Sequence, residues 1–335
     1  MRVLLGACVL ATFLALPALA AKPAGRIVFS RELGGDHELF STRPDGSGLT
    51  RLTDDDLHEA EPVWSPDGRR IAAAGVGELI LRAASGRLLR RIAAPAEGAI
   101  TEPRWSPGGR WIAFLVERCY SERNPDPSPI CADLWIVRPD GSGRRRLVEA
   151  NVSTNDGIAA YAWSPAGQSL VFERLDTPAL VIVDAATGRT RILRGTTRLG
   201  SRDPAWSRRG WIAFTRQRGP FKGSDLYVAR ADGSGLQRVA RARDARQPVW
   251  SPDGRRIAFL DFDPTELHSW HVTVARSDGS GRRRVGEATA EWTLVWSPDE
   301  TRLLWENENY RLVVGRSDGS GRPRVLVRGS GADWR

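Results

Sequence analysis

Hydrophobic residues in this chain occur in short runs that are separated by turn-forming residues. Typical runs are Ile-Ala-Phe-Leu at 257–260 and Leu-Tyr-Val-Ala at 226–229, and Gly, Pro and Asp stand between successive runs. The runs are too short to show the 3.6-residue apolar period of an amphipathic helix, and β-branched and aromatic side chains are common in them. Such segments are typical of β-strands. The pattern therefore predicts an all-β protein.

The runs belong to a repeat that is marked by tryptophan. The sequence Pro-Val-Trp-Ser-Pro-Asp-Gly-Arg-Arg-Ile-Ala occurs both at 62–72 and at 248–258. A second block ends in Asp-Gly-Ser-Gly and occurs at 45–48, 140–143, 232–235, 278–281 and 318–321. Self-similarity of this kind indicates a repeat architecture. The seven repeat markers are Trp64, Trp105, Trp163, Trp206, Trp250, Trp296 and Trp334.

The sequence of each repeat predicts that it forms four short antiparallel strands. The first strand ends at the marker tryptophan, and the other three correspond to segments such as 256–259, 225–229 and 236–239. Ser-Pro-Asp-Gly suits the turn between the first two strands, because Pro presets φ and Gly accepts a positive φ. Asp-Gly suits the hairpin between the last two. Four antiparallel strands repeated about every 45 residues form a β-propeller blade.

The two ends of the chain determine the predicted number of blades. Strands two to four occur seven times, beginning near Arg26, but no marker strand precedes Arg26 and an extra one lies at 331–335. We therefore expect the C-terminal strand to complete the N-terminal blade and close a seven-bladed ring. Six blades with an irregular end are the alternative.

The repeated Trp-Ser-Pro-Asp-Gly-Arg-Arg-Ile-Ala-Phe, followed by Leu-Tyr-Val and Asp-Gly-Ser-Gly, resembles the WD40-like (PD40) repeats of the TolB propeller family. The repeat is also similar to those in the propellers of prolyl oligopeptidase and dipeptidyl-peptidase relatives. In TolB an α/β domain precedes the propeller, which binds the lipoprotein Pal. Only residues 21–25 precede the first predicted strand here, so we expect no such domain. The resemblance implies a periplasmic, protein-binding propeller.

Catalysis is not expected from these motifs. The peptidase relatives need a serine nucleophile elbow, and the Gly-x-Ser-x-Gly of this chain, at 315–319, overlaps a repeated Asp-Gly-Ser-Gly turn and is not followed by a helical pattern. The serine of each Asp-Gly-Ser-Gly lies in a repeated turn. We therefore predict no catalytic residues, no cofactor and no metal. Carboxylate pairs such as Asp261 with Asp263 leave a polysaccharide-active enzyme open as an alternative.

The N-terminal segment predicts export. Arg2 is followed by an apolar run to Leu16, and Ala-Leu-Ala at 18–20 fits a signal-peptidase site. We expect a signal peptide at 1–20, cleavage after Ala20, and one propeller domain at 21–335 that is periplasmic or secreted and does not span the membrane. An uncleaved anchor and a lipoprotein signal at Cys8 are the alternatives.

Two cysteines remain after removal of the signal peptide. Cys119 and Cys131 flank a Pro-rich segment. In an oxidising compartment an even pair of this kind predicts a disulfide that closes a loop.

Polar and irregular segments predict where a binding face lies. Strand alternation places the short Ser-Pro-Asp-Gly and Asp-Gly-Ser-Gly turns at one rim and the other connections at the opposite rim. The second rim receives the long segments 31–38, 53–61, 117–133, 149–161, 216–224 and 261–271, and variable loops are where binding residues concentrate. Its carboxylates and imidazoles suit a cation or basic ligand, or else form a solvated loop. The candidate residues are His37, Asp54, Asp55, Asp56, His58, Glu59, Glu61, His268 and His271.

The charge balance is strongly basic, with 49 Lys and Arg against 40 Asp and Glu and a net charge of +9. Export argues against nucleic acid as the partner. Arginine clusters at 144–146 and 282–284 begin the predicted outer strands, where charge blocks pairing between sheet edges. Alternatively, they bind an anionic glycan or phospholipid headgroups.

These observations together predict a monomeric, exported, non-catalytic propeller that binds a protein or peptide at the cell envelope. A propeller that binds a small ligand or glycan, or a polysaccharide-active enzyme, is the alternative.

Overall fold

A computed structural model describes residues 25–95, 98–117, 132–150, 157–174, 179–197, 200–219, 222–265, 269–288, 293–307 and 309–335. The predicted signal peptide, the Cys119–Cys131 disulfide and His268 lie outside these residues. No helix in the described ranges has the length and hydropathy needed to cross a membrane.

The described residues form seven four-stranded sheets, which confirms the predicted seven-bladed β-propeller. Each sheet is one blade, and its strands are given from the first to the fourth. Blade 1 contains β28 (Ser330–Trp334), β1 (Ile27–Leu33), β2 (Asp36–Thr42) and β3 (Thr50–Arg51), and blade 2 contains β4 (Ala60–Trp64), β5 (Arg70–Gly75), β6 (Glu78–Ala83) and β7 (Leu88–Ala93). Blade 3 contains β8 (Ala99–Trp105), β9 (Ile112–Glu117), β10 (Ala132–Val137) and β11 (Arg145–Val148). Blade 4 contains β12 (Ile158–Trp163), β13 (Ser169–Arg174), β14 (Leu180–Asp184) and β15 (Thr190–Ile192). Blade 5 contains β16 (Ser201–Trp206), β17 (Trp211–Gln217), β18 (Ser224–Arg230) and β19 (Gln237–Ala240). Blade 6 contains β20 (Ala245–Trp250), β21 (Arg256–Asp263), β22 (Ser269–Arg276) and β23 (Arg283–Ala288). Blade 7 contains β24 (Leu294–Trp296), β25 (Arg302–Asn307), β26 (Arg311–Arg316) and β27 (Arg324–Arg328).

The marker strand of each blade lies innermost. First strands of neighbouring blades contact one another around most of the ring, as β28 does with β4 and β16 does with β20. Fourth strands lie at the periphery, where most side chains of β7 and all those of β15 are exposed. Charged side chains on these outer edges protect them from pairing with another sheet.

The ring closes within one chain, as the sequence predicted. β28 pairs antiparallel with β1, so that Trp334 lies opposite Ile27. Arg26 and Arg335 also exchange two backbone hydrogen bonds, one of which is 2.9 Å long. Full closure leaves no innermost strand without a neighbour. The six-blade alternative is therefore wrong.

The hydrophobic core is distributed between the blades. Phe114 of blade 3, for example, packs with Ala72 and Leu79 of blade 2, and Phe259 of blade 6 packs with Leu226 of blade 5. Both faces of a blade are covered by its neighbours, and second and third strands such as β9 and β14 are apolar at nearly every position. This double coverage explains the continuous apolar runs in the sequence.

Four of the marker tryptophans attach their blade to the one before it. The indole Nε1 of Trp105 donates to the carbonyl oxygen of Val63 at 3.3 Å, and that of Trp163 donates to Arg104 at 3.1 Å. The equivalent bonds from Trp250 and Trp296 to the preceding first strands are both 3.1 Å. The repeat marker is therefore an inter-blade hydrogen-bond donor as well as a core side chain.

We expect Trp250→Phe to lower the free energy of unfolding by about 1 kcal/mol more than Trp206→Phe. Both tryptophans occupy the same repeat position and are half-buried. The Nε1 of Trp250 donates to Ala205, whereas that of Trp206 has no hydrogen-bond partner among the described residues. Urea unfolding of both variants measures the difference. Equal losses would show that the indole N–H does not hold the blades together.

Candidate functional site

The two rims of the propeller differ in their connections, as predicted. Antiparallel pairing within every blade places the first and third turns at one rim, here called the short-turn rim. The second turns and the connections between blades lie at the other, here called the loop-rich rim. Short-turn geometry is repeated closely: Asp318 accepts hydrogen bonds from the backbone N (2.9 Å) and Oγ (2.6 Å) of Ser320, and Asp278 bonds Ser280 in the same way.

Two of the predicted loops at the loop-rich rim are shorter than expected. β1 and β2 extend into the 31–38 segment and leave only a turn at Gly34 and Gly35, so His37 lies in a strand. β21 and β22 likewise extend into 261–271, and His271 pairs with Asp261 inside the sheet. The prediction that His37 and His271 lie in loops is therefore wrong. The polar composition of these strand ends is typical of a loop, but their backbone N–H and C=O groups are paired with the neighbouring strand.

Burial separates the other candidate residues into two groups. Asp54, Asp55 and Asp56 are exposed, whereas His58 and Glu61 are half-buried. Glu59 is 0% exposed and His271 is 4% exposed. The predicted binding face is therefore partly a buried polar cluster.

Arg82 lies in the third strand of blade 2 and pairs with two carboxylates of the densest acidic segment. The Nε of Arg82 donates to Glu59 at 2.6 Å, and its Nη2 donates to Asp55 at 2.8 Å. A third bond joins its Nη1 to the carbonyl oxygen of Gly86 at 3.1 Å. Arg82 itself is buried. Charge-assisted bonds of this kind tie the 52–59 connection to the blade, so these carboxylates have a structural role.

His37 and His58 lie next to this ion pair. Their ring centroids are 4.6 Å apart, and the Nδ1 of His37 is buried with no hydrogen-bond partner in the described ranges. Burial lowers the pKa of His37, and repulsion by His58 acts in the same direction. Burial also raises the pKa of Glu59 to about 7, against the attraction of Arg82. The structure therefore brings His37, His58, Asp55 and Glu59 together at the junction of blades 1 and 2.

A second polar feature recurs on the innermost strands, where the backbone bulges three residues before the marker tryptophan. The bulged residues have positive φ angles of 48° to 53°, in the left-handed region that non-glycine residues rarely adopt. Strand register shifts at the same positions. The four residues are Glu61, Glu102, Asp203 and Gln247.

Side chains near the bulges bond to the backbone of the next blade. The Oε2 of Glu61 accepts from the N of Glu102 at 2.5 Å, and the Oδ2 of Asp203 accepts from the N of Gln247 at 3.3 Å. At the junction of blades 4 and 5, where Ala160 occupies the bulge position, Glu173 of the second strand accepts from the N of Asp203 at 3.0 Å. We call these contacts the inner-ring bonds.

Two further inner-ring bonds flank the closing strand. The Oγ1 of Thr293 accepts from the N of Ala332 at 3.2 Å, and the Oδ2 of Asp333 accepts from the N of Trp64 at 2.8 Å. Polar side chains thus join β24 to β28 and β28 to β4. Of these residues, sequence reasoning named Glu61 as a candidate for the binding face and missed the others. An acidic or amide residue followed by Pro, three positions before the tryptophan, was the available signal.

Burial controls the protonation of the inner-ring carboxyls. It raises the pKa of Glu61, Asp203 and Asp333 above their usual values. The pKa of Glu173 is raised to about 7, first by burial and then by the Asp203 carboxylate. Within the described residues, no group of three or more His, Cys, Asp or Glu side chains is arranged to hold a metal ion. The inner ring is therefore built to receive backbone N–H groups.

Stability should depend on pH through Glu173. Its folded pKa is raised above the unfolded value, so the native state holds a proton that the unfolded state has released. Stability therefore falls as pH rises from about 5 to about 8, by up to about 3 kcal/mol from this group. Glu173→Gln keeps an acceptor for Asp203 and removes the titration of this group, so it should reduce the slope, and the slope that remains comes from groups such as Glu59, whose pKa is also about 7.

Urea unfolding at pH 5, 6.5 and 8 measures this effect. Asp140→Asn is the control, because a hydrogen bond from Ser142 lowers the pKa of Asp140. Its titration lies below pH 5, and the control should keep the wild-type slope. A Glu173→Gln protein with the wild-type slope would contradict the assignment.

The chain is similar in sequence or in structure to several known proteins. No family model matches the chain. A TolB homologue from Chlorobium luteolum is 31% identical over 174 residues, which cover 49% of this chain and 35% of the homologue. Dipeptidyl-peptidase 5 from Porphyromonas gingivalis is 26% identical over 287 residues, which cover 71% of this chain and 42% of the peptidase. The solved oligogalacturonate lyase from Vibrio parahaemolyticus has a TM-score of 0.62 and 13% identity, over 92% of this chain and 87% of the lyase.

The similarity to these proteins is partial. The chain matches less than half the length of either curated relative. At 13% identity the likeness to the lyase concerns the fold alone. Proteins named as enzymes and proteins named as TolB both occur among the relatives. With its seven four-stranded blades, the chain is a β-propeller with sequence similarity to TolB homologues.

Proposed function

We propose that this protein is an exported, non-catalytic, TolB-like propeller with PD40-type repeats. Its loop-rich rim binds a protein or peptide partner of the cell envelope. The observation that carries this proposal is the difference between the two rims. At the short-turn rim the same turn recurs from blade to blade, whereas the loop-rich rim presents a different connection in each blade.

Repetition argues against a binding site at the short-turn rim. Asp45, Asp140, Asp232, Asp278 and Asp318 each accept the backbone N–H of the serine two positions later, at 2.8–2.9 Å. Because these five turns are equivalent, no one of them gives a partner a surface that differs from the others. At the other rim, blade 2 presents the acidic 54–56 segment, while blades 5 and 6 present arginines at 241 and 243. Irregular connections on a rigid ring are where recognition residues concentrate.

The state of the carboxylates supports a non-catalytic role. Glu59 and Asp55 bond to Arg82, and Glu61 and Asp203 bond to backbone N–H groups of neighbouring blades. A general acid or base needs a proton-transfer path to a substrate. These groups instead hold the ring together. Similarity to a TolB homologue agrees with a binding role, and closure of the ring by its own β28 supports a monomer.

Site-specific photo-crosslinking tests this proposal. A benzophenone amino acid replaces Asp56 at the loop-rich rim in one protein and Arg69 at the short-turn rim in a matched control; both positions are exposed. Each protein is irradiated in envelope extract, and adducts are identified by mass spectrometry. We expect one reproducible protein adduct from position 56 and none from position 69. Equal adducts from both positions, or none from position 56, would contradict binding at the loop-rich rim.

A further inference from the structure

A cavity of about 440 Å³ lies at the junction of blades 5 and 6, outside the inner ring and the Arg82 cluster. We call it the arginine cleft. Asp261 and Asp263 at the end of β21 supply two carboxylates to its lining. Five arginines and two aspartates therefore line the cleft, which carries a surplus of positive charge. The five arginines are Arg218, Arg241, Arg243, Arg282 and Arg284.

Three of these arginines are held in place by protein groups. Arg282 bonds to the Asp261 carboxylate, and its Nη1 donates to the carbonyl oxygen of Arg241 at 2.5 Å. Arg284 bonds to the Asp263 carboxylate. The Nη2 of Arg218 donates to the carbonyl oxygens of Ala242 and Arg243 at 3.1 and 3.0 Å. Guanidinium groups fixed in this way lose less freedom when they bind a ligand.

The other two arginines are available for a ligand. The side chains of Arg241 and Arg243 are exposed, and neither guanidinium has an ion pair or hydrogen bond to the described residues. Both lie on the 241–244 connection between β19 and β20, at the loop-rich rim. These two neighbouring positive charges repel each other, since no counter-charge lies between them among the described contacts. A bound anion would relieve that repulsion and use the planar donor pattern of arginine.

We propose that the arginine cleft binds an acidic peptide segment through two or three of its carboxylates. The inference rests on the proposed protein-binding function and names the chemistry of the partner. Asp225 pairs with Arg218 at 3.5 Å and is shared with Arg238, so the five arginines and the carboxylates around them leave a surplus of about two to three positive charges, which matches that number of carboxylates. A volume of about 440 Å³ is in the range of pockets that hold several chemical groups and is large for a single small anion.

A peptide fits the lining better than a uronate sugar. The aromatic lining residue Phe262 already packs on Trp270, with ring centroids 5.1 Å apart, so the cleft has no open aromatic platform for a sugar ring. Ala242 and Phe262 add apolar residues to the lining, which suit the methylene groups of glutamate side chains. An acidic side chain also presents its carboxylate on a flexible stem that can reach both Arg241 and Arg243.

Fluorescence anisotropy with defined peptides tests the proposal. The probes are a fluorescein-labelled hexaglutamate and a matched hexaglutamine, each titrated with the full-length protein at low salt. We expect binding of hexaglutamate alone, and a weaker signal as salt rises. The double variant Arg241→Gln, Arg243→Gln should weaken binding at least tenfold. Failure of the wild-type protein to bind hexaglutamate would overturn the proposal.

A matched charge control makes the result specific. Arg69→Gln with Arg87→Gln removes the same two charges from exposed positions in blade 2, away from the cleft. We expect less than a twofold change, and thermal melts should show all proteins folded. An equal loss in both double variants would mean general attraction to a basic protein, and it would overturn the proposal.

Competition identifies the ligand class and separates this inference from the proposed function. Unlabelled trigalacturonate and inorganic phosphate are added to the peptide complex; displacement by either at lower concentration than hexaglutamate itself would overturn the peptide assignment. Photo-crosslinking at position 56 without hexaglutamate binding would leave the proposed function standing and reject the cleft. Hexaglutamate binding that Arg241 and Arg243 control, without a crosslinked partner, would support the cleft and reject the proposed function.

Discussion

Attachment of each innermost strand to the next is the constraint on which this propeller depends. A blade has both faces covered by its neighbours, so apolar packing alone would allow adjacent blades to slide or rotate. Tryptophan N–H groups bond to the preceding strand, as at Trp163 and Trp250. Carboxylates bond to the following one, as at Glu61 and Asp203. These directional bonds fix the spacing of the strands, and the distributed core then fills the space between the blades.

This constraint explains why so many polar groups near the centre have structural roles. The bulge at Glu102 or Asp203 adopts a strained positive φ, which a single strand would not favour. The strain is offset because the bulged N–H points at a carboxylate of the preceding blade. Where Ala160 occupies the bulge position, Glu173 supplies the carboxylate from the second strand. The inner ring does not restrict the composition of the peripheral connections.

The residues within each repeat were enough to predict the blades. Turn residues and the marker tryptophan recur in each unit, and the unmatched strands at the two ends of the chain predicted closure by β28. The site was less predictable, because its contacts are distant in sequence. Arg82 and Glu59 are separated by 23 residues, and Glu61 and Glu102 by 41. Sequence reasoning places His271 at the end of the irregular segment 261–271, but backbone pairing between β21 and β22 extends through that segment.

Hydrogen exchange at the bulged residues tests most directly whether the inner-ring bonds hold the blades together. The backbone N–H of Asp203 donates to Glu173 across the junction of blades 4 and 5. Its exchange should be as slow as that of Phe214 in the core strand β17, since both would need the ring to open. Exchange of Asp203 as fast as the exposed 54–56 connection would show that the inner-ring bond does not form, and that packing alone holds these blades in place.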